Sequence, residues 1–243
     1  MKVRKWWKRM LVLDLLLAGL LFLHTYQEQE ESLQASAGYD QVNREQTEAG
    51  TPAGKSRSGG KMVALTFDDG PDPRYTEKLL DGLKERGVKA TFFVTGANAS
   101  KYPEIIKRIQ EEGHLIGNHT YHHIQLTAAN GEQFRNEIIS TNEVIRGITG
   151  EDTEYIRPPY GSWNKKYEEE LNMFPVLWSI DPRDWCSDDA DCIVRNTVSK
   201  VKEGDIILMH DQYQSSVTAA LEIVDRLQKE GYIFVTVEEL LLD

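Results

Sequence analysis

Short runs rich in β-branched and aromatic residues alternate along this chain with stretches whose apolar residues recur three and four apart. Residues 62–67 (MVALTF), 88–94 (VKATFFV), 114–118 (HLIGN), 176–180 (VLWSI), 205–209 (DIILM) and 232–237 (YIFVTV) read as strands, with a weaker one at 154–157 (EYIR). One intervening helix places Tyr75, Leu79, Leu80 and Leu83 on one side and stops at Gly87. The next starts at Pro103, carries Ile105, Ile106 and Ile109, and stops at Gly113. The alternation predicts an α/β domain, a compact or incomplete barrel of parallel strands short of the full eightfold kind. An open doubly wound sheet is the alternative.

The beginning of the chain follows neither pattern. Residues 1–9 carry five Lys or Arg and no acid, and the apolar run MLVLDLLLAGLLFL follows from Met10 to Leu23. A basic stretch ahead of a leucine run reads as a signal peptide or membrane anchor over 1–26, basic end inside. The run is short for a span, and Asp14 interrupts it. The small-residue triplet ASA at 35–37 lies far beyond the run for a cleavage site, which favours an uncleaved anchor. From Gln27 to Gly60 the chain is Gln, Glu, Ser, Thr, Gly and Ala with almost no large aliphatics. Such a segment buries too little apolar surface to offset its ordering entropy and reads as a disordered linker over 27–60. The folded domain is placed at 61–243. The expected location is the outer face of the cytoplasmic membrane, or the exterior if the segment is cleaved.

Composition narrows the partners. The chain has 243 residues, is 40% hydrophobic, and carries a net charge of −11, enough apolar content for a core in one domain. The bases of residues 1–9 make everything after them more acidic still. Such a body repels phosphate backbones, so no nucleic-acid partner is expected. Nothing in the sequence indicates an oligomeric partner.

The polar residues that interrupt the apolar pattern fall at strand ends. Asp68 and Asp69 follow the first strand, His119 and His123 the third, Arg157 the fourth, Asp181 and Asp184 the fifth, and His210 and Asp211 the sixth. In a parallel barrel these ends share one face, where active sites are built. His119 and His123, four apart, would put two imidazoles on one face of a helical turn, a spacing that suits a divalent metal. Asp69 would complete a set of two histidines and one carboxylate with open positions. The neighbouring Asp68 is then free to take a proton from the attacking water.

In order along the chain stand TFDDGP (66–71), HTYHH (119–123), RPPYG (157–161), DPRDW (181–185) and LMH (208–210). With these motifs the chain resembles the polysaccharide deacetylases of carbohydrate esterase family 4, the NodB-homology domain, over essentially all of 61–243. The resemblance implies a distorted (β/α)7 barrel and metal-dependent removal of N-acetyl groups from aminosugar polymers. It makes Asp68 the catalytic base, Asp69, His119 and His123 the metal ligands, and His210 the general acid. Arg157 is expected to orient Asp68, and Asp184 to hold and tune His210. The backbone N–H of Tyr160 would stabilise the oxyanion, while Trp185 and Leu208 would wall the acetyl pocket. A cation beside the base and an anion beside the acid push the two groups toward the opposite protonation states that one pH must supply. The cofactor expected is one divalent ion, zinc first, with cobalt, nickel or another ion also compatible with the donors.

Two positions depart from the family pattern. His122 is either a bystander or a competing ligand, and Asp181 is assigned to the turn before Pro182. The cysteines, Cys186 and Cys192, permit a disulfide behind the pocket wall in an exported protein. The expected substrate is a polysaccharide containing N-acetylglucosamine, peptidoglycan first. Chitin oligosaccharides, another surface polysaccharide or acetylxylan would use the same chemistry, and a tethered, non-catalytic glycan-binding domain is the alternative class.

Overall fold

The computed structural model of the chain describes residues 60–242. The expected membrane-targeting segment and all but the last residue of the expected linker lie outside the described residues. Among the described residues no helix is long and apolar enough to cross a membrane.

Among the described residues seven strands form one parallel sheet: β1 (Lys61–Asp68), β2 (Thr91–Val94), β3 (Leu115–Asn118), β4 (Tyr155–Ile156), β5 (Phe174–Pro175), β6 (Ile206–His210) and β7 (Tyr232–Val235). Their order is β5-β4-β3-β2-β1-β6, with β7 paired to the first half of β1. The helices are α1 (Thr76–Glu85), α2 (Gly96–Lys101), α3 (Pro103–Glu111), α4 (Gly131–Thr149), α5 (Lys166–Leu171), α6 (Ala190–Val198), α7 (Gln214–Lys229) and α8 (Val237–Leu242). The sequence stops are physical ones: Gly87 and Gly113, just past α1 and α3, take left-handed φ values of 63° and 76° that a side chain would resist.

The period of two along each strand sorts the residues into two layers. Val63, Leu65 and Phe67 of β1 join Phe92, Val94, Ile207 and Met209 in a core packed against the helices, including Leu79, Leu80 and Leu83 of α1. Each such buried leucine contributes roughly 1.5–3 kcal/mol. The alternate residues Ala64 and Ile206 pack with Phe93 and Val176 on the opposite face. The same alternation gives Thr66, Asp68, Leu208 and His210 to that inner face, where the ends of the strands carry the polar residues.

The predicted strand at 176–180 is not a continuous strand. Beyond β5, Val176 N–H still bonds Ile156 O (2.7 Å) and Ile180 makes a single parallel bridge to Ile207. The Arg157 side chain takes the first two carbonyls of the run: Nε donates to Val176 O (3.1 Å) and Nη2 to Leu177 O (3.2 Å). The segment thus carries the chain from the β4 edge toward β6, and the isolated Ile180–Ile207 bridge ties it to that strand. The strands form a half-barrel consistent with a distorted (β/α) barrel.

Candidate metal and catalytic site

Asp68 is the last residue of β1 and is 3% exposed. In the β1–β6 ladder it stands opposite His210, so the two side chains point to the same face from neighbouring strands. Asp69 follows with a φ of 72°, a left-handed conformation that redirects its side chain from the direction the strand alternation would give. Two adjacent carboxylates can therefore serve one site from different angles.

The histidines reach the same place from β3. His119 N–H bonds Val94 O (2.9 Å), extending the β2–β3 ladder by one step. The helical turn expected over 119–123 does not form. Thr120 and His123 take left-handed φ values of 61° and 56°, and the loop's polar backbone groups go to other partners. Thr120 N–H bonds Asn118 Oδ1 (2.7 Å), Gly96 and Ala97 N–H bond the Thr120 and Tyr121 carbonyls, and His122 N–H bonds Glu137 Oε2 (2.5 Å). The two imidazoles nevertheless converge, their ring centroids 4.9 Å apart.

Asp69 Oδ1 lies 3.4 Å from His119 Nε2 and 3.4 Å from His123 Nε2. One donor atom from each of the three residues falls within 4.8 Å of the others, and these residues could hold a metal ion. Their chemistry fits a divalent cation: two imidazoles and a carboxylate form a facial donor set. His119 Nδ1 donates to Arg157 O (2.6 Å), which leaves Nε2 as the ring nitrogen facing Asp69. Electrostatics agree. Burial disfavours a charged His119, yet the Asp68 and Asp69 carboxylates outweigh it and raise its pKa. Burial likewise opposes ionisation of Asp69, but its hydrogen bond to His119 and the surrounding imidazoles hold it at about 2. His123 moves the other way: burial and the charge of His119 lower its pKa, which favours the neutral ring that metal binding requires. His122 is not a competing ligand: its Nδ1 meets Glu137 Oε1 at 2.8 Å on α4, outside the donor set.

Arg157, the residue after β4, is fully buried. Its Nη1 donates to Asp68 Oδ1 (2.8 Å) and to Thr66 Oγ1 (2.6 Å), and its guanidinium lies 4.3 Å from the centre of the Phe93 ring. Asp68 is thereby neutralised on one oxygen, while Oδ2 faces His119 Nε2 at 3.8 Å. The same arginine holds Asp68 through its side chain and His119 through its carbonyl.

At the end of β6, Asp184 grips His210 with both oxygens: Oδ1 accepts from Nδ1 (2.9 Å) and Oδ2 from the backbone N–H (2.8 Å). Burial alone would push the imidazole down. The hydrogen bond and charge of Asp184, with smaller contributions from Asp68 and Asp69, reverse this and raise it to about 9. Asp181 has the turn role expected of it, accepting from Arg183 N–H at 2.7 Å. That turn sets Arg183 at a left-handed φ of 58° and delivers Asp184 to the short 3-10 turn Asp184–Cys186.

The remaining expected residues surround these groups. Tyr160, at φ 58°, provides the first N–H of the 3-10 turn Pro159–Gly161, an amide the turn does not itself bond. Its ring stands edge-on to His123 at 5.0 Å and is 61% exposed. Trp185 is 53% exposed beside buried Asp184, whereas Leu208 is 5% exposed on the inner face of β6. The cysteines do not form the expected disulfide. Both thiols are free: Cys186 Sγ donates to Arg183 O (3.2 Å), while Cys192 sits in the first turn of α6, where Asp189 caps its N–H (3.0 Å).

Three residues with a bearing on the site lie outside every motif: Glu137, which holds the loop at His122, and Asp211 and Gln212, which follow His210. Only Asp211 carried a signal, as one of the polar residues at a strand end. It is fully buried, and burial pushes its carboxyl up to about 7.

Residues 55–176 match the family model described as polysaccharide deacetylase. Over 181 residues the chain is 46% identical to a peptidoglycan-N-acetylglucosamine deacetylase of Bacillus cereus, an alignment covering 72% of this chain and 66% of that one. Over 180 residues it is 39% identical to the peptidoglycan-N-acetylmuramic acid deacetylase PdaC of Bacillus subtilis, covering 74% of this chain and 38% of the relative. The chain thus spans about two thirds or less of these two curated relatives. The solved structure of the peptidoglycan deacetylase PdaC from Bacillus subtilis superposes with a TM-score of 0.73 at 38% identity, covering 76% of this chain and 92% of that one. On the family model, the identity to these relatives and the shared backbone, this chain belongs to the polysaccharide deacetylase family, carbohydrate esterase family 4.

Proposed function

We propose that the protein is a hydrolase that removes N-acetyl groups from N-acetylglucosamine residues of peptidoglycan at the outer face of the cytoplasmic membrane. One observation carries the chemistry. Asp68 and His210 stand opposite each other on β1 and β6, one paired with a cation and the other with an anion, beside the Asp69, His119 and His123 donors. A base and an acid held in opposite protonation states are what amide hydrolysis needs.

A divalent ion held by Asp69, His119 and His123 would supply Lewis acidity to the amide carbonyl and to the attacking water. Zinc suits two imidazole nitrogens and a carboxylate oxygen. Asp68, oriented by Arg157, takes a proton from the water as the water oxygen bonds to the carbonyl carbon. The Tyr160 N–H donates to the oxygen on which charge develops. His210, kept protonated by Asp184, gives its proton to the sugar nitrogen as the C–N bond breaks, leaving acetate and a free amine. Trp185 and Leu208 bound the space for the methyl group.

The substrate assignment is supported by the two relatives, both of which carry peptidoglycan in their names. The location is supported by the basic and leucine-rich residues 2–23. The test is acetate release by the full-length protein from N-acetylglucosamine oligomers, chitin oligomers, acetylxylan and purified peptidoglycan, before and after chelation and with zinc restored. Release from peptidoglycan that chelation abolishes, and that Asp68→Asn lowers about 10²–10⁴-fold, is the expected result. No release from any of these glycans by zinc-loaded protein would refute the reading. Release confined to N-acetylmuramic acid units or to chitin would correct the substrate and leave the mechanism.

A further inference from the structure

The two residues after His210 reach back to the turn that carries Asp69. Gln212 Nε2 donates to Asp69 O (3.1 Å), which also accepts from Asn98 Nδ2 (2.8 Å). Asp211 Oδ2 accepts from Thr76 Oγ1 (2.6 Å), and Thr76 Oγ1 in turn accepts from Asp72 N–H (2.8 Å). The Asp211 carboxylate lies against Gly70 so closely that a Cβ there would meet Oδ2 at 2.4 Å and Oδ1 at 2.5 Å. Thr76 and Asp211 are both fully buried. The turn 69–72 is thus held at the Asp69 carbonyl, at Gly70 and at the Asp72 amide.

That turn needs holding. Asp69 is a non-glycine residue at φ 72°, a conformation that persists only where its surroundings enforce it. Two of the groups that enforce it belong to the segment that also carries His210. We propose that Asp211 and Gln212 are positioning residues that fix the Asp69 donor and, through it, the spacing between the metal site and His210. The proposal rests on the reading of Asp69 as a ligand and His210 as the acid. It explains why glycine follows the two aspartates and why a buried acid follows the histidine. Neither residue touches the reacting atoms.

Zinc affinity of the full-length protein, measured by competition with a chromogenic chelator, tests it independently of activity. The thermal midpoint and the kcat and KM of acetate release are measured in parallel. Gln212→Met keeps the side chain's length and removes its donor. Thr76→Val removes the hydroxyl bridge and Thr76→Ser restores it. The expected result is a zinc affinity lowered about tenfold in Gln212→Met, with kcat reduced, KM unchanged and the midpoint within a few degrees of the parent. Thr76→Val should behave likewise and Thr76→Ser should recover the parent affinity. Parent-like zinc affinity in both Gln212→Met and Thr76→Val would overturn the proposal, as would losses that track the thermal midpoint alone. A parent that binds zinc but deacetylates nothing would sink the functional reading while the zinc affinities still decide this one.

Discussion

Replacing Asp184 with Asn should move the alkaline limit of activity. In the native protein His210 is raised from 6.5 to about 9, against the opposing effect of its own burial. Asp184 is the leading cause of the rise, so without its charge the buried imidazole should titrate at or below its ordinary value. At pH 7.5 a group of pKa 9 is almost wholly protonated, whereas one at 6.5 is protonated in about one molecule in ten. The acid form, and with it kcat at pH 7.5, should fall at least about tenfold, and the descending limb should move to lower pH by about two units. An ion bound at Asp69 removes that carboxylate's share of the rise, so the parent limb should lie at or below about pH 9. The amide also offers one oxygen where the carboxylate offered two, leaving one of the two His210 donors without an acceptor. Loss of such a bond costs about 1–3 kcal/mol.

Stability must follow the same titration. A histidine whose pKa is higher folded than unfolded stabilises the fold fully below the unfolded value of 6.5, and the contribution disappears as pH rises through about 9. A difference of about 2.5 units corresponds to about 3 kcal/mol. Urea unfolding should therefore separate parent from Asp184→Asn widely at pH 6 and much less at pH 9.5. The assay is a pH–rate profile of acetate release from N-acetylglucosamine oligomers between pH 5 and 10. An unshifted descending limb in Asp184→Asn would refute the assignment of His210 as an acid tuned by Asp184.

Arg157→Met should destabilise by about 3–5 kcal/mol, because it breaks a buried ion pair by removing one partner. Adding Asp68→Asn should recover part of that loss in urea unfolding, and a single variant within 1 kcal/mol of the parent would show the pair to be incidental. Gly70→Ala should lower stability by about 1–3 kcal/mol, since its Cβ would collide with the Asp211 carboxylate; an unchanged unfolding midpoint would contradict the packing. Glu137→Ala removes the acceptor that holds both the amide and the ring of His122. Zinc affinity should drop about tenfold, and parent-like affinity would mean that the loop holds its shape without this anchor.

The groups of the site that were legible in the sequence are those whose role depends on residue type at a strand end. Paired aspartates after β1, two histidines after β3 and a histidine closing β6 announce themselves because the fold class brings parallel strand ends to one face. The strands were legible for a related reason: β1, β2 and β6 are nearly all apolar runs, buried on both faces. What failed was local geometry controlled from a distance. The run at 176–180 has the composition of a strand, but Arg157 takes two of its carbonyls. The segment 119–123 has helical spacing, but Glu137, Gly96 and Ala97 take the backbone groups a helix would use. In both cases a polar group from another element outcompeted the pairing that local pattern favoured, and a window along the sequence does not contain that competitor.

Asp211 was legible only as one more polar residue at a strand end and Gln212 not at all, although both follow a histidine whose role could be read. A ligand or an acid is recognised by what its own side chain can do, and an aspartate or histidine at a strand end has few structural uses that would place it there. A positioning residue acts through the conformation of another segment, and Asp211 and Gln212 lie more than 130 positions from the turn they hold. Their effect is visible in the sequence only as a requirement imposed elsewhere, the glycine at position 70. That residue admits a carboxylate to within reach of its backbone, where any side chain would exclude it. Read in this way, the glycine after the two aspartates and the buried acid after His210 are two halves of one contact, and a substitution at either should be felt at Asp69.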